Sequence, residues 1–135
     1  MIVDTSALLA YFNTAEPDHQ AVSAVIDNYD GALVVSPHVI AELDYLVATR
    51  AGVDAELQVL RALSTGAWEL PALSVAELEL ATLVIEKYRD QNIGVADASL
   101  VVLADRYRVR TIATLDRRHF EVVRPIGGGR FSIRP

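Results

Sequence analysis

The chain has 135 residues, a size that suits one domain with one core, and its 52% hydrophobic content means that much of it must be buried. No apolar run approaches the ~20 residues that cross a bilayer, and the absence of cysteine excludes a disulfide framework and a thiolate zinc site. A net charge of −6 counts against a nucleic-acid partner, but its distribution does not: after position 105 eight arginines face two acids (+6), whereas residues 1–105 hold four basic residues against sixteen acids (−12).

The opening Met1-Ile2-Val3-Asp4 has no basic n-region and reads directly as a short strand over residues 2–3, so a cytoplasmic protein without a signal peptide is expected. Thr5 to Phe12 is expected to be helical. A second helix is expected over His19 to Tyr29, with Ala21, Val22, Val25 and Ile26 at helical spacing. Gly31 breaks it, and Ala32 to Ser36 reads as a buried strand. Ser36-Pro37 is an N-cap followed by proline at the first helical position, opening a helix to about Arg50 that stops at Gly52.

Asp54 to Leu63 continues as a helix, and Ala67 to Leu70 is a short strand ended by Pro71. Ser74-Val-Ala-Glu77 has the capping-box pattern and starts a helix to about Tyr88. Gly94 precedes a helix over Ala96 to Tyr107. Thr111 to Thr114 is a strand, and Phe131 to Ile133 a last edge strand after the Gly127-Gly128-Gly129 turn. Strands alternating with helices imply a single α/β domain over residues 1–135, with a mainly parallel central sheet flanked by helices.

Three aspartates share an address in that fold. Asp4 follows the first strand, Asp116 follows the 111–114 strand by one residue, and Asp97 lies in the first turn of the helix after Gly94. In open α/β sheets ligands bind outside the carboxyl ends of the strands, where helices begin. Aspartate is also a preferred helix cap, so Asp4 and Asp116 each have an ordinary structural explanation. Asp97 is harder to explain that way, because its helical neighbours Leu100, Val101 and Ala104 are apolar. On the Ser36-Pro37 helix, Glu42 and Asp44 sit at opposite margins of the stripe Val39, Ile40, Leu43, Leu46 and Val47, and periodicity does not choose between them.

Four ordered segments carry a resemblance: Ile2 to Leu8, Ser36 to Leu43 with Val39-Ile-Ala-Glu42, Ile93-Gly-Val-Ala-Asp97-Ala98, and Thr114-Leu-Asp116 with Phe120 after it. Together they make the chain similar, essentially end to end, to the PIN-domain toxins of the VapBC toxin–antitoxin family. The resemblance selects Glu42 over Asp44. It implies an acidic site of Asp4, Glu42, Asp97 and Asp116 with Ser6 and Thr114 as supporting hydroxyls. It further implies cleavage of structured RNA, such as transfer or ribosomal RNA, to 5′-phosphate and 3′-hydroxyl ends. Neutralisation by a cognate antitoxin, and pairing as a homodimer within a larger toxin–antitoxin assembly, follow from the same likeness. One departure is that Arg117 and Arg118 follow Asp116, where some relatives carry further acids.

Charge explains why such a site needs a cation. Two carboxylates ~4 Å apart repel by about 4 kcal/mol at an effective dielectric near 20, and without a counter-charge some would stay protonated. An all-oxygen donor set favours magnesium, or manganese, over zinc. Magnesium keeps several waters and takes one or two carboxylates directly, so Asp4 and Asp97 are the expected metal ligands, with Glu42 and Asp116 acting partly through water. Glu42 is the expected group to orient or deprotonate the attacking water. The three histidines show no metal spacing and read as surface or packing residues.

Three other readings compete. A haloacid-dehalogenase-type phosphohydrolase also begins strand–aspartate but wants a second aspartate where Ser6 stands. A receiver domain needs paired early acids and a late lysine, and the only lysine is Lys87, inside a helix. A non-catalytic, RNA-binding PIN domain is disfavoured by the presence of all four acids.

Overall fold

The computed structural model describes all 135 residues. β1 (Ile2–Val3) is followed by α1 (Thr5–Phe12), α2 (His19–Asp27), α3 (Pro37–Ala51), α4 (Val53–Leu63), α5 (Val75–Lys87), a 3-10 turn (Arg89–Gln91), α6 (Val95–Arg106), β2 (Thr111–Ala113), α7 (Arg117–Val122) and β3 (Ser132–Arg134). The sheet order is β1-β2-β3, all parallel, with Ile2 opposite Ile112 and Ile112 opposite Ile133. Parallel bridges Ile2–Val34 and Val34–Glu69 extend it beyond β1. Parallel strands need helical crossovers and are buried by them, which is why Ile2, Val3, Val34, Ile112 and Ala113 are almost completely inaccessible.

The expected strands at 32–36 and 67–70 are reduced to these single-residue bridges. Their ladder is nevertheless made: Val34 N donates to Met1 O (2.9 Å), Val3 N to Val34 O (2.9 Å) and Glu69 N to Leu33 O (2.8 Å). The extended segment ends at Ser36, which caps α3, its hydroxyl accepting from His38 N (3.2 Å). At Ser74 both halves of the capping box form, Glu77 N to Ser74 Oγ (3.2 Å) and Ser74 N to Glu77 Oε2 (2.8 Å). The unexpected element is α7. It is too short for periodicity to show, and one buried residue, Phe120, anchors it edge-on against Phe131 at 6.0 Å.

The buried side chains form one continuous cluster, and α6 runs through its centre with Ala98 to Ala104 all buried. No helix is long and apolar enough to cross a membrane. Asp4, Thr114 and Asp116 all lie at the carboxyl rim of the sheet, just past β1 and β2.

Candidate active site

Asp4 is held in place before its side chain does anything. Its amide donates to Ala113 O (3.0 Å), and its carbonyl accepts from Leu8 N (3.0 Å) at the start of α1. It occupies the N-cap position of α1, yet its carboxylate caps nothing. Instead Oδ2 accepts from Thr114 Oγ1 (2.7 Å) and Ser6 Oγ (2.8 Å). Each hydroxyl is oriented by a backbone amide behind it: Leu115 N donates to Ser6 Oγ (2.9 Å) and Asp116 N to Thr114 Oγ1 (3.1 Å). With their lone pairs so engaged, both hydroxyl protons point at Asp4. This is how a carboxylate only 7% exposed keeps its polar partners. Asp4 Oδ1 has no protein partner.

The two acids of α3 part company. Glu42 Oε2 accepts from Thr5 Oγ1 (2.5 Å) at the first turn of α1, beside Asp4 in the chain, which leaves Oε1 without a protein partner. Asp44 faces α4, where its carboxylate pushes the Glu56 carboxyl above its ordinary value.

Asp97 enters from the first turn of α6, its side chain 24% exposed. Burial raises its carboxyl above the ordinary range; the imidazole of His119 opposes the rise, and the negative fields of Asp4 and Glu42 add to it. His119 Nδ1 lies 3.1 Å from Asp97 Oδ2. This histidine, read from sequence as a surface or packing residue, therefore stands in the site. Its only sequence signal was its place beside Phe120, whose burial fixes which way α7 faces.

Asp116 behaves differently. It too sits at an N-cap position without capping. Both its oxygens are taken by Arg118, Nε to Oδ1 and Nη2 to Oδ2 at 3.1 Å each, and that guanidinium draws the carboxyl below its ordinary value. Arg117 turns to Glu121 (3.5 Å) and Pro135 O (3.2 Å). The departure noticed after Asp116 thus has a structural meaning: one of the two arginines clamps the last acid of the set.

Asp4, Ser6 and Thr114 form one hydrogen-bonded unit, Glu42 joins it through Thr5, and Asp97 shares its field. No three acidic or histidine side chains close to metal-ligating spacing, so the pocket is open rather than a cage. Its donor chemistry nevertheless suits a hard divalent ion. The donors are all oxygen, Asp4 Oδ1 and Glu42 Oε1 have no protein partner, and the charges of Asp4 and Glu42 add to the proton affinity of Asp97, which a cation would relieve. Asp4 and Asp97 are the residues that would hold it.

Comparison with known proteins bears on this arrangement. Residues 1–125 match the model of the PIN domain family. Ribonuclease VapC26 of Mycobacterium tuberculosis is 69% identical over 135 residues, the full length of both chains. Among solved structures, M. tuberculosis VapC20, a sarcin-ricin loop cleaving toxin, superposes with a TM-score of 0.85 at 17% identity, over 99% of this chain and 98% of that one. VapBC2 from Rickettsia felis, bound to a DNA fragment from its promoter, gives 0.72 at 16% identity, over 99% and 98%. At such identities the structural likenesses establish the fold alone.

Proposed function

The chain belongs to the PIN domain family and, within it, to the VapC ribonucleases, and from that premise we propose that it is a metal-dependent endoribonuclease acting as the toxin of a toxin–antitoxin pair. The observation that carries the reading is the Asp4 unit: a carboxylate buried at the sheet rim, fixed by Ser6 and Thr114, with one oxygen left without a protein partner and with Asp97 in the field of both Asp4 and Glu42. Hydrolysis of a phosphodiester needs positive charge at the phosphoryl oxygens and an activated water, and a divalent cation, magnesium by the hardness of the donors, supplies both.

The chain's own residues do the rest. Asp4 and Asp97 would hold the cation, and Ser6 and Thr114 keep Asp4 from rotating. Glu42, pinned at Oε2 by Thr5, receives the proton of the attacking water at Oε1. His119 holds Asp97 Oδ2, fixing which carboxylate oxygen faces the pocket. Asp116 acts through water, because Arg118 occupies both its oxygens. The product ends are 5′-phosphate and 3′-hydroxyl, and the substrate is structured RNA of the transfer or ribosomal kind, met in the cytoplasm.

An antitoxin segment has a place to lie. A groove of about 260 Å³ between α1, α3 and α4, lined by Leu9, Phe12, Leu46 and Val59, suits the apolar face of a helix. Val75, Leu78 and Leu83 of α5 are exposed and favour pairing with a second copy.

The test is incubation of the purified protein with total RNA, with magnesium and with chelator. Fragmentation that requires the metal and disappears in Asp4→Asn is the expected result. Intact RNA under both conditions, or full cleavage by Asp4→Asn, would overturn the reading.

A further inference from the structure

The arginine-rich end of the chain divides into engaged and free guanidinium groups. Arg106 reaches Ala72 O (3.0 Å) and Glu77 (3.4 Å). Arg117 and Arg118 are held as described, and Arg110 lies in the space that a side chain at Gly129 would fill, which the left-handed backbone there (φ +87°) already disfavours. Arg110 and likewise Arg108, Arg124, Arg130 and Arg134 make no side-chain hydrogen bond or ion pair. Two of these five, Arg124 and Arg130, line one cleft of about 380 Å³, together with Phe120, Glu121, Phe131 and Ile133. The single acid there, Glu121, is already paired with Arg117.

The position of the cleft gives it meaning. α7 starts beside Asp116 at the carboxyl rim and runs antiparallel to β3: Arg117 meets Pro135, Phe120 meets Phe131, and Arg124 shares the cleft with Arg130. The α7–β3 seam therefore leads from the acidic pocket to two unpaired guanidinium groups. Five helical steps from Arg117 to Val122 cover roughly 7.5 Å at ~1.5 Å each, and two non-helical residues carry the chain on to Arg124, for at most about 14 Å in all. That is about two to four nucleotides at ~3.4 Å of stacked strand each. An acidic site set in an acidic body repels the phosphates flanking the bond to be cut, and a strand lying in this seam would have them neutralised.

Resting on the ribonuclease reading, the geometry points to the Arg124–Arg130 cleft as a phosphate-binding subsite for RNA about two to four nucleotides from the scissile bond. Guanidinium groups suit phosphate oxygens as bidentate donors, and the Phe120–Phe131 pair gives the cleft an apolar floor.

The experiment separates binding from cleavage. Anisotropy of a fluorescein-labelled 30-nucleotide stem–loop RNA is followed against salt in an Asp4→Asn background, which holds RNA uncut. Adding Arg124→Gln and Arg130→Gln is expected to lower the magnitude of the slope of log affinity against log salt by about 1.4, or 0.7 per single-strand phosphate contact. Arg124→Lys with Arg130→Lys should restore it, and all forms should melt together. In the active enzyme the Gln pair should raise KM with kcat unchanged. An unchanged slope in folded protein, or no RNA binding in the Asp4→Asn background, overturns the subsite. So does loss of antitoxin capture by the Gln pair with its RNA slope intact, which would reassign the cleft to a protein. If the wild type binds RNA with the expected slope but never cuts it, the ribonuclease reading fails while the subsite stands.

Discussion

Asp4 and Asp116 occupy the same local place, the residue after a strand and before a helix, and they end in opposite circumstances. Asp4 is buried, fixed at one oxygen by two hydroxyls, and open at the other. Asp116 is exposed on its side chain to 39% and occupied at both oxygens by a guanidinium. Neither caps its helix. The difference teaches that a carboxylate's partners, not its position in a motif, decide its availability to a ligand: hydroxyls leave its charge in place, and an arginine cancels it.

The sharpest way to break that contrast is to neutralise each acid in turn. Asp4→Asn should lower RNA cleavage by at least about three orders of magnitude, and Asp116→Asn by only about tenfold, in single-turnover assays at saturating magnesium. Equal losses would mean that Arg118 lets go of Asp116 in the working enzyme. Next in size is Thr114→Val, which keeps the shape but removes one donor to Asp4 and orphans the Asp116 amide. Thermal unfolding should report a loss of about 1–3 kcal/mol, and cleavage should fall about tenfold.

Smaller again is the effect of the Asp97 charge on stability. Its folded carboxyl is raised above the unfolded one, so the native state holds that proton more tightly. In chelator, stability contributed by the protonated form is full below the unfolded value and is lost as pH rises through the folded one. Asp97→Asn should remove this decline and raise the melting temperature of the metal-free protein at pH 7, roughly 4 °C for each 1 kcal/mol in a domain of this size. A lower melting temperature would show that the acids do not strain one another. Least is the Arg118 clamp. Asp116 is lowered, so its contribution is present above the ordinary carboxylate value and is lost as pH falls through the folded one. Melting curves of wild type and Arg118→Gln should therefore converge in acid and differ only slightly at neutral pH, as exposed pairs do.

Much of the fold was readable because local signals agreed with the tertiary structure: the Ser36-Pro37 and Ser74–Glu77 starts, the Gly52 stop and the apolar run of α6 all lie where composition places them. The strands at 32–36 and 67–70 were overdrawn, since an apolar run shows burial but not how many ladder bonds its neighbours allow. Among the acids, the choice between Glu42 and Asp44 was closed to periodicity, which shows a helix's faces but not what packs on each. Thr5 on α1 and Glu56 on α4 supply that information. His119 and the Arg118 clamp were hidden for a related reason. Both depend on α7, six residues long, whose orientation rests on a single buried phenylalanine.

The β2–β3 ladder has a consequence in time. Thr114, the donor to Asp4, is separated from it by 110 residues, and Thr114 N is itself held by Arg134 O at 2.8 Å. During synthesis at ~5–20 residues per second, the first strand emerges many seconds before the strand that completes its surroundings. A nascent chain with Asp4 folded but Ser132–Arg134 not yet docked has the buried acid without the fixed hydroxyl that orients it. A ribonuclease is thus assembled last around the acid proposed to stand at the heart of its active site.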